Sequence, residues 1–95
     1  MSDVIDAAVA ALSEKLKDGF SATAKFVITD EGSIMADADG VREGDEEAEV
    51  TLIANAETFK GILSGDVNPT MAFMTGKLKI DGSMGLAMQL GSALS

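Results

Sequence analysis

The 95 residues include no cysteine, histidine, tryptophan or tyrosine, one proline and four phenylalanines. Without cysteine there are neither disulfide staples nor thiolate metal sites. Without histidine, cysteine and tyrosine, the commonest general bases and nucleophiles are missing. None of the eight serines has an evident base partner. Carboxylates remain as a source of acid–base chemistry, but most of them fall at turn or polar-face positions, where solvation is the default. The chain reads as a protein that is not an enzyme and carries no cofactor or metal.

Bases are scarce too: seven Lys and Arg against sixteen Asp and Glu, for a net charge of −9. Nine acids (Asp30, Glu31, Asp37, Asp39, Glu43, Asp45, Glu46, Glu47 and Glu49) face only Arg42 between positions 30 and 49, so that segment carries −8 of the total. Nucleic acid is excluded as a partner, because phosphate binding needs a basic footprint. Contact with anionic membrane is at most transient for the same reason. The acidic run reads as a solvated loop and strand face. Long apolar runs are absent as well. MSDVIDAAVAALSEKLKD is interrupted by acids and is neither a signal peptide nor a membrane span, which points to the cytoplasm.

Two motif searches fail. Asp37, Asp39, Gly40 and Glu46 fall at positions 3, 5, 6 and 12 of a calcium loop, but position 1 would be Met35, which does not ligate calcium. Gly76-Lys77 lacks both the following Ser or Thr and the upstream Gly of a phosphate loop.

The pattern along the chain is that of one domain, residues 1–95, with a thin core expected at this length. Ser2 or Asp3 caps a first helix whose apolar stripe is Ile5, Ala8, Val9, Leu12 and Leu16, ended by Gly19. Lys25–Thr29 and Ser33–Asp37 alternate as strands about a turn at Asp30-Glu31-Gly32, and Ala48–Ile53 is a third strand after an acidic loop. Such alternation predicts an antiparallel sheet with one apolar face and one wet face. Asn55 then caps a helix closed by Gly65, and Asn68-Pro69 starts another that Gly76 stops. Lys77–Asp81 is a strand, and Ser83 to about Leu94 a last helix.

The final helix is apolar over most of its circumference. Met84, Ala87, Met88, Gly91 and Leu94 form one stripe, and Leu86, Leu90 and Ala93 a second. A surface helix hides one face about 100° wide, so two apolar neighbours are expected. One is the sheet; the other is a second subunit, a membrane or a bound lipid. Four of the five methionines after the initiator lie between Asn68 and Leu90, at 71, 74, 84 and 88. Methionine is flexible and polarisable and suits a cavity that tolerates ligands of varied shape. On the residues alone such methionines more often fill gaps in an ordinary core; the lipid reading takes as its wall Phe59, Leu63, Met71, Phe73, Met74, Leu78, Ile80, Met84, Leu86, Met88 and Leu90. Gln89, with Lys77 or Lys79, is the candidate for orienting a head group.

From Ala48 to Leu94 the chain resembles the sterol carrier protein family of small lipid-binding and lipid-transfer domains. The carrying residues are the AEVTL strand, the helix ending LSG, and NPTMAFMTGKLKIDGSMGLAMQL, of which GKLKI followed by MGLAM is the most specific. The resemblance implies an α+β fold: a mixed, largely antiparallel sheet of four to five strands, covered on one side by helices that enclose a hydrophobic tunnel. It implies a non-catalytic carrier of long-chain fatty acid, fatty acyl-CoA or sterol-like lipid. Family domains also occur fused to enzymes of lipid metabolism, so the rival expectation is a module that docks on such an enzyme. Pairing of two copies through the last helix stays open. The chain departs from relatives in ending SALS rather than in a peroxisomal SKL, and in a first helix where Asp3, Asp6, Glu14 and Asp18 outnumber Lys15 and Lys17. Its short tail is expected to leave the tunnel mouth more open. With no sterol-specific feature, acyl chains rank above sterols.

Overall fold

Alternation in the first half of the chain makes a sheet with one apolar face, and the helical stripes are what cover it. The computed structural model describes residues 3–94; Ser2, one of the two cap candidates, lies outside them. The elements are α1 (Asp3–Lys15), β1 (Ala24–Ile28), β2 (Gly32–Asp37), β3 (Gly40–Glu43), β4 (Val50–Ala54), α2 (Ala56–Ser64), α3 (Pro69–Met74), β5 (Lys79–Gly82) and α4 (Met84–Leu94). The five strands lie in the order β3-β2-β1-β4-β5. All neighbours are antiparallel except β1 and β4, which run parallel in the register Phe26↔Leu52. The sheet is thus mixed and largely antiparallel, as expected.

Phe26, Ile28, Ile34, Ala36, Val50, Leu52 and Ala54 share the covered face and are buried with Ile5, Leu12, Phe59, Ile62, Leu90 and Leu94 from the helices. Of the stripe expected on α1, Ile5, Ala8, Leu12 and Leu16 are buried and Val9 packs at the core's edge. The helix closes at Lys15 and a turn carries the chain to Gly19, at φ 79. A Cβ there would meet the carbonyl oxygens of Asp37 and Ala38 at 2.8 and 2.9 Å, so position 19 needs glycine twice over. Asn55 and Gly65 cap α2, and Asn68 caps α3, as the sequence predicts.

Three expectations need correction. The acidic loop contains a strand: β3 pairs with β2 as Ala36↔Val41 and Met35↔Arg42. Its charges misled because an edge strand tolerates and even favours them. The last strand begins at Lys79 rather than Lys77, since the N–H groups of Lys77 and Leu78 both donate to the Ala72 carbonyl, at 2.8 and 3.1 Å. Nor is the far face of the sheet simply wet, because Met35 is fully buried there. The acidic segment folds back over it: Asp45 pairs with Lys25 at 3.0 Å and Glu46 with Arg42 at 3.6 Å. Arg42 also holds Asp37 at 3.0 Å, and this hydrogen-bonded charge raises the guanidinium pKa above its ordinary value. Asp37 and Glu46, two acids of the rejected calcium register, thus both lean on Arg42.

Candidate functional site

The helices α2, α3 and α4 do not close on β4 and β5. They leave a cavity of about 430 Å³. Leu52 of β4 and Ile80 of β5, register partners, form its floor. Phe59 and Ile62 of α2 wall one side, and Met84, Ala87, Met88, Gly91 and Leu94 of α4 the other. These α4 residues recur at three- and four-residue spacing, so a single helical face supplies them. Ser83 starts that helix, its Oγ accepting from the Leu86 N–H at 3.3 Å.

The lid over the cavity is α3, which contributes Pro69, Thr70, Phe73 and Met74. Six residues are too few to hold a helix unaided. Here the Asn68 side chain accepts from the Thr70 and Met71 N–H groups at 2.8 and 3.2 Å, and Pro69 pre-sets the first turn. At the other end Gly76, at φ 83, lets the chain turn back onto the Ala72 carbonyl. Ala72 is the one buried residue of α3. The element is capped at both ends but weakly anchored in the middle.

Burial is graded from floor to rim. Leu52, Phe59, Ile62, Leu78, Ala87 and Leu94 are buried, whereas Met74 is 73% exposed, Met88 72%, Met84 47% and Phe73 39%. The exposed large hydrophobics among the described residues are these four and Met71, all on α3 or α4. Clustered exposed apolar side chains mark a binding surface, whereas scattered ones do not. Among the described residues no charged side chain lines the cavity, and the polar ones are Asn68, Thr70 and Ser92.

Seven of the predicted wall residues line this space: Phe59, Phe73, Met74, Leu78, Ile80, Met84 and Met88. The other four, and the head-group candidates, are placed elsewhere. Leu90 is fully buried in the core and Leu86 packs at its margin, because the second stripe of α4 faces the sheet and α1. Leu63 lies one residue past Ile62 on α2, which turns it to a separate groove against α1. Met71 points outward from α3 and is 56% exposed. Gln89 lies in a cleft with Lys15–Ser21, so it cannot orient a head group in this cavity. Lys77 and Lys79 are exposed and line no part of it, with Lys79 paired opposite Ile53 on the outer face. The residues missed include Leu52, Ile62, Ala87, Gly91, Leu94 and the polar trio Asn68, Thr70 and Ser92. Ser92 follows Met88 by four residues and was findable from helical phase.

Comparison with known proteins agrees with this architecture. Residues 4–95 match the SCP-2 sterol transfer family, and the chain belongs to it. Sterol carrier protein 2 of Rattus norvegicus is 35% identical over 82 residues, covering 82% of this chain and 14% of that protein. Hydroxysteroid dehydrogenase-like protein 2 of Homo sapiens is 45% identical over 51 residues, covering 54% of this chain and 12% of that protein. This chain therefore spans a small fraction of these curated relatives. Among solved structures, Aedes aegypti sterol carrier protein 2 in complex with the C16 fatty acid palmitate superposes with a TM-score of 0.82 at 22% identity, covering 100% of this chain and 97% of that one. The apo form from Yarrowia lipolytica gives 0.69 at 22% identity, covering 97% and 84%. At such identities the likeness is one of fold.

Proposed function

We propose that this domain is a non-catalytic lipid carrier that shelters the tail of a long-chain fatty acid or fatty acyl-CoA, with sterol-like lipids as weaker ligands. The observation that carries the reading is a cavity of about 430 Å³ with no charged lining among the described residues, rimmed by exposed methionines. Each methylene moved from water into such a space gains about 0.8 kcal/mol, so a long tail binds at micromolar strength or better without an ionic contact, even after ordering costs. Unbranched thioethers adapt to ligands of varied shape, a flexible acyl chain among them. Because Ala72 is the one buried residue of α3, this is the element that moves aside for entry and exit. The Aedes aegypti relative, solved in complex with palmitate, supports the ligand class.

The test is thermal unfolding with and without lipid. A ligand at 100 times its Kd adds about 2.7 kcal/mol, which for a domain this size raises Tm by about 10 °C or more. Native mass spectrometry of protein taken directly from cells would then weigh the natural ligand.

A second reading has support from the relatives. The segment similar to this chain makes up 12% of the human dehydrogenase-like protein, so the exposed rim of α3 and α4 would dock on an enzyme of lipid metabolism. No Tm shift with any lipid class, together with a stable complex with such an enzyme, would favour it.

A further inference from the structure

A second apolar hollow, of about 260 Å³, lies between α1 and α2. Val4, Ala7 and Ala11 line it from the first helix, and Lys60 and Leu63 from the second. Among the described residues Phe59 is the one that lines both this groove and the main cavity. The phase of α2 explains the sharing. Ile62 follows Phe59 by three residues and faces the cavity, while Leu63 follows by four and faces the groove, so the ring above them divides the two spaces.

Charge separates the two ends. Among the described residues the main cavity offers a lipid head group no cation. The groove has Lys60, the one charged residue on its wall among the described residues. Lys60 is exposed and forms no ion pair among the described residues, in a chain where acids outnumber bases sixteen to seven. An anionic head group left in the main cavity would lie unpaired, at a cost that the Lys60 end removes.

Resting on the lipid-carrier reading, we propose that groove and cavity are two ends of one lipid path, with Phe59 as the gate between them and Lys60 as the site for an anionic head group. The ligand is then a single-chain anionic lipid. Its carboxylate stands at Lys60 on α2, and its tail passes Phe59 and ends among Met74, Met84 and Met88. The length of chain accepted is set by both hollows together, and fatty acids are preferred to fatty alcohols.

The experiment measures Kd for dodecanoate, octadecanoate and octadecanol with the whole chain. The variants are Ala11→Leu and Ala7→Leu, which fill the groove from different depths, and Lys60→Gln, each checked for unaltered ligand-free unfolding. Wild-type affinity should rise up to about fourfold per methylene. Filling the groove should cut the octadecanoate-to-dodecanoate affinity ratio by about tenfold or more. Lys60→Gln should cut the octadecanoate-to-octadecanol ratio by about threefold. Wild-type binding with both ratios unmoved in the variants would overturn the two-ended path while leaving the carrier reading intact. Failure of the wild type to bind any of the three lipids would overturn both.

Discussion

The ring of Phe59 stands edge-on to that of Phe26, centroids 5.5 Å apart and planes at 79°. One ring comes from the middle of the sheet and the other from α2, so this contact fixes how far that helix stands from the strands. Both rings are buried. Phe59→Ala removes this contact and enlarges a hollow that already exists, so it should destabilise by about 3–5 kcal/mol. Denaturant unfolding measures the loss, and Phe59→Leu should cost much less.

Met88→Glu separates binding from folding. The side chain is 72% exposed and at the rim, so stability should change by no more than about 0.5 kcal/mol. A carboxylate at the cavity mouth would have to be desolvated by an incoming tail, and fatty-acid affinity should fall by about tenfold or more. Isothermal titration alongside thermal unfolding checks both halves. Persistence of full affinity would show that the wall is misassigned.

Gly91→Leu should move stability and binding in opposite directions. Glycine in the interior of α4 costs about 1 kcal/mol relative to a good helix former. A Cβ added there meets only Pro69, at 3.9 Å, so the helix gains without a clash. The longer side chain, however, occupies space that a ligand needs. The expected outcome is an unchanged or raised Tm with weakened binding of long acyl chains.

Asn68→Ala deprives the Thr70 and Met71 N–H groups of their acceptor, at a cost of about 1 kcal/mol. In a helix with one buried residue that loss should appear locally. Hydrogen exchange across residues 69–75 should accelerate while β1 and β4 keep their protection. Saturating palmitate should slow exchange in the same stretch of the wild type.

Much of this architecture was legible before any coordinates, and the exceptions have physical causes. Asn55, Gly65, Asn68-Pro69 and Gly76 are local signals whose effect needs no tertiary context, and each marks an end of α2 or α3. The two stripes of α4 were legible as well, but not which of them met the sheet. Leu86 and Leu90 were therefore assigned to the wrong neighbour, while Ala87 and Gly91, on the other stripe but with little side chain of their own, shape the cavity. The strand β3 escaped because backbone pairing with β2 is indifferent to the charges on Arg42 and Glu43 at an exposed edge. Lys60 and the α1–α2 groove depend on how two helices lie across each other, which periodicity alone does not encode.

The methionines supply the most direct test of the central claim, that an acyl tail occupies the space under α3 and α4. Met74, Met84 and Met88 line that space, whereas Met35 is buried on the opposite face of the sheet beneath the acidic segment. With isotope-labelled methionine methyl groups followed by NMR during a palmitate titration, the account predicts that the signals of Met74, Met84 and Met88 shift and saturate together while that of Met35 stays in place. Methyl signals of all four that remain fixed at saturating palmitate, or a response at Met35 alone, would contradict it.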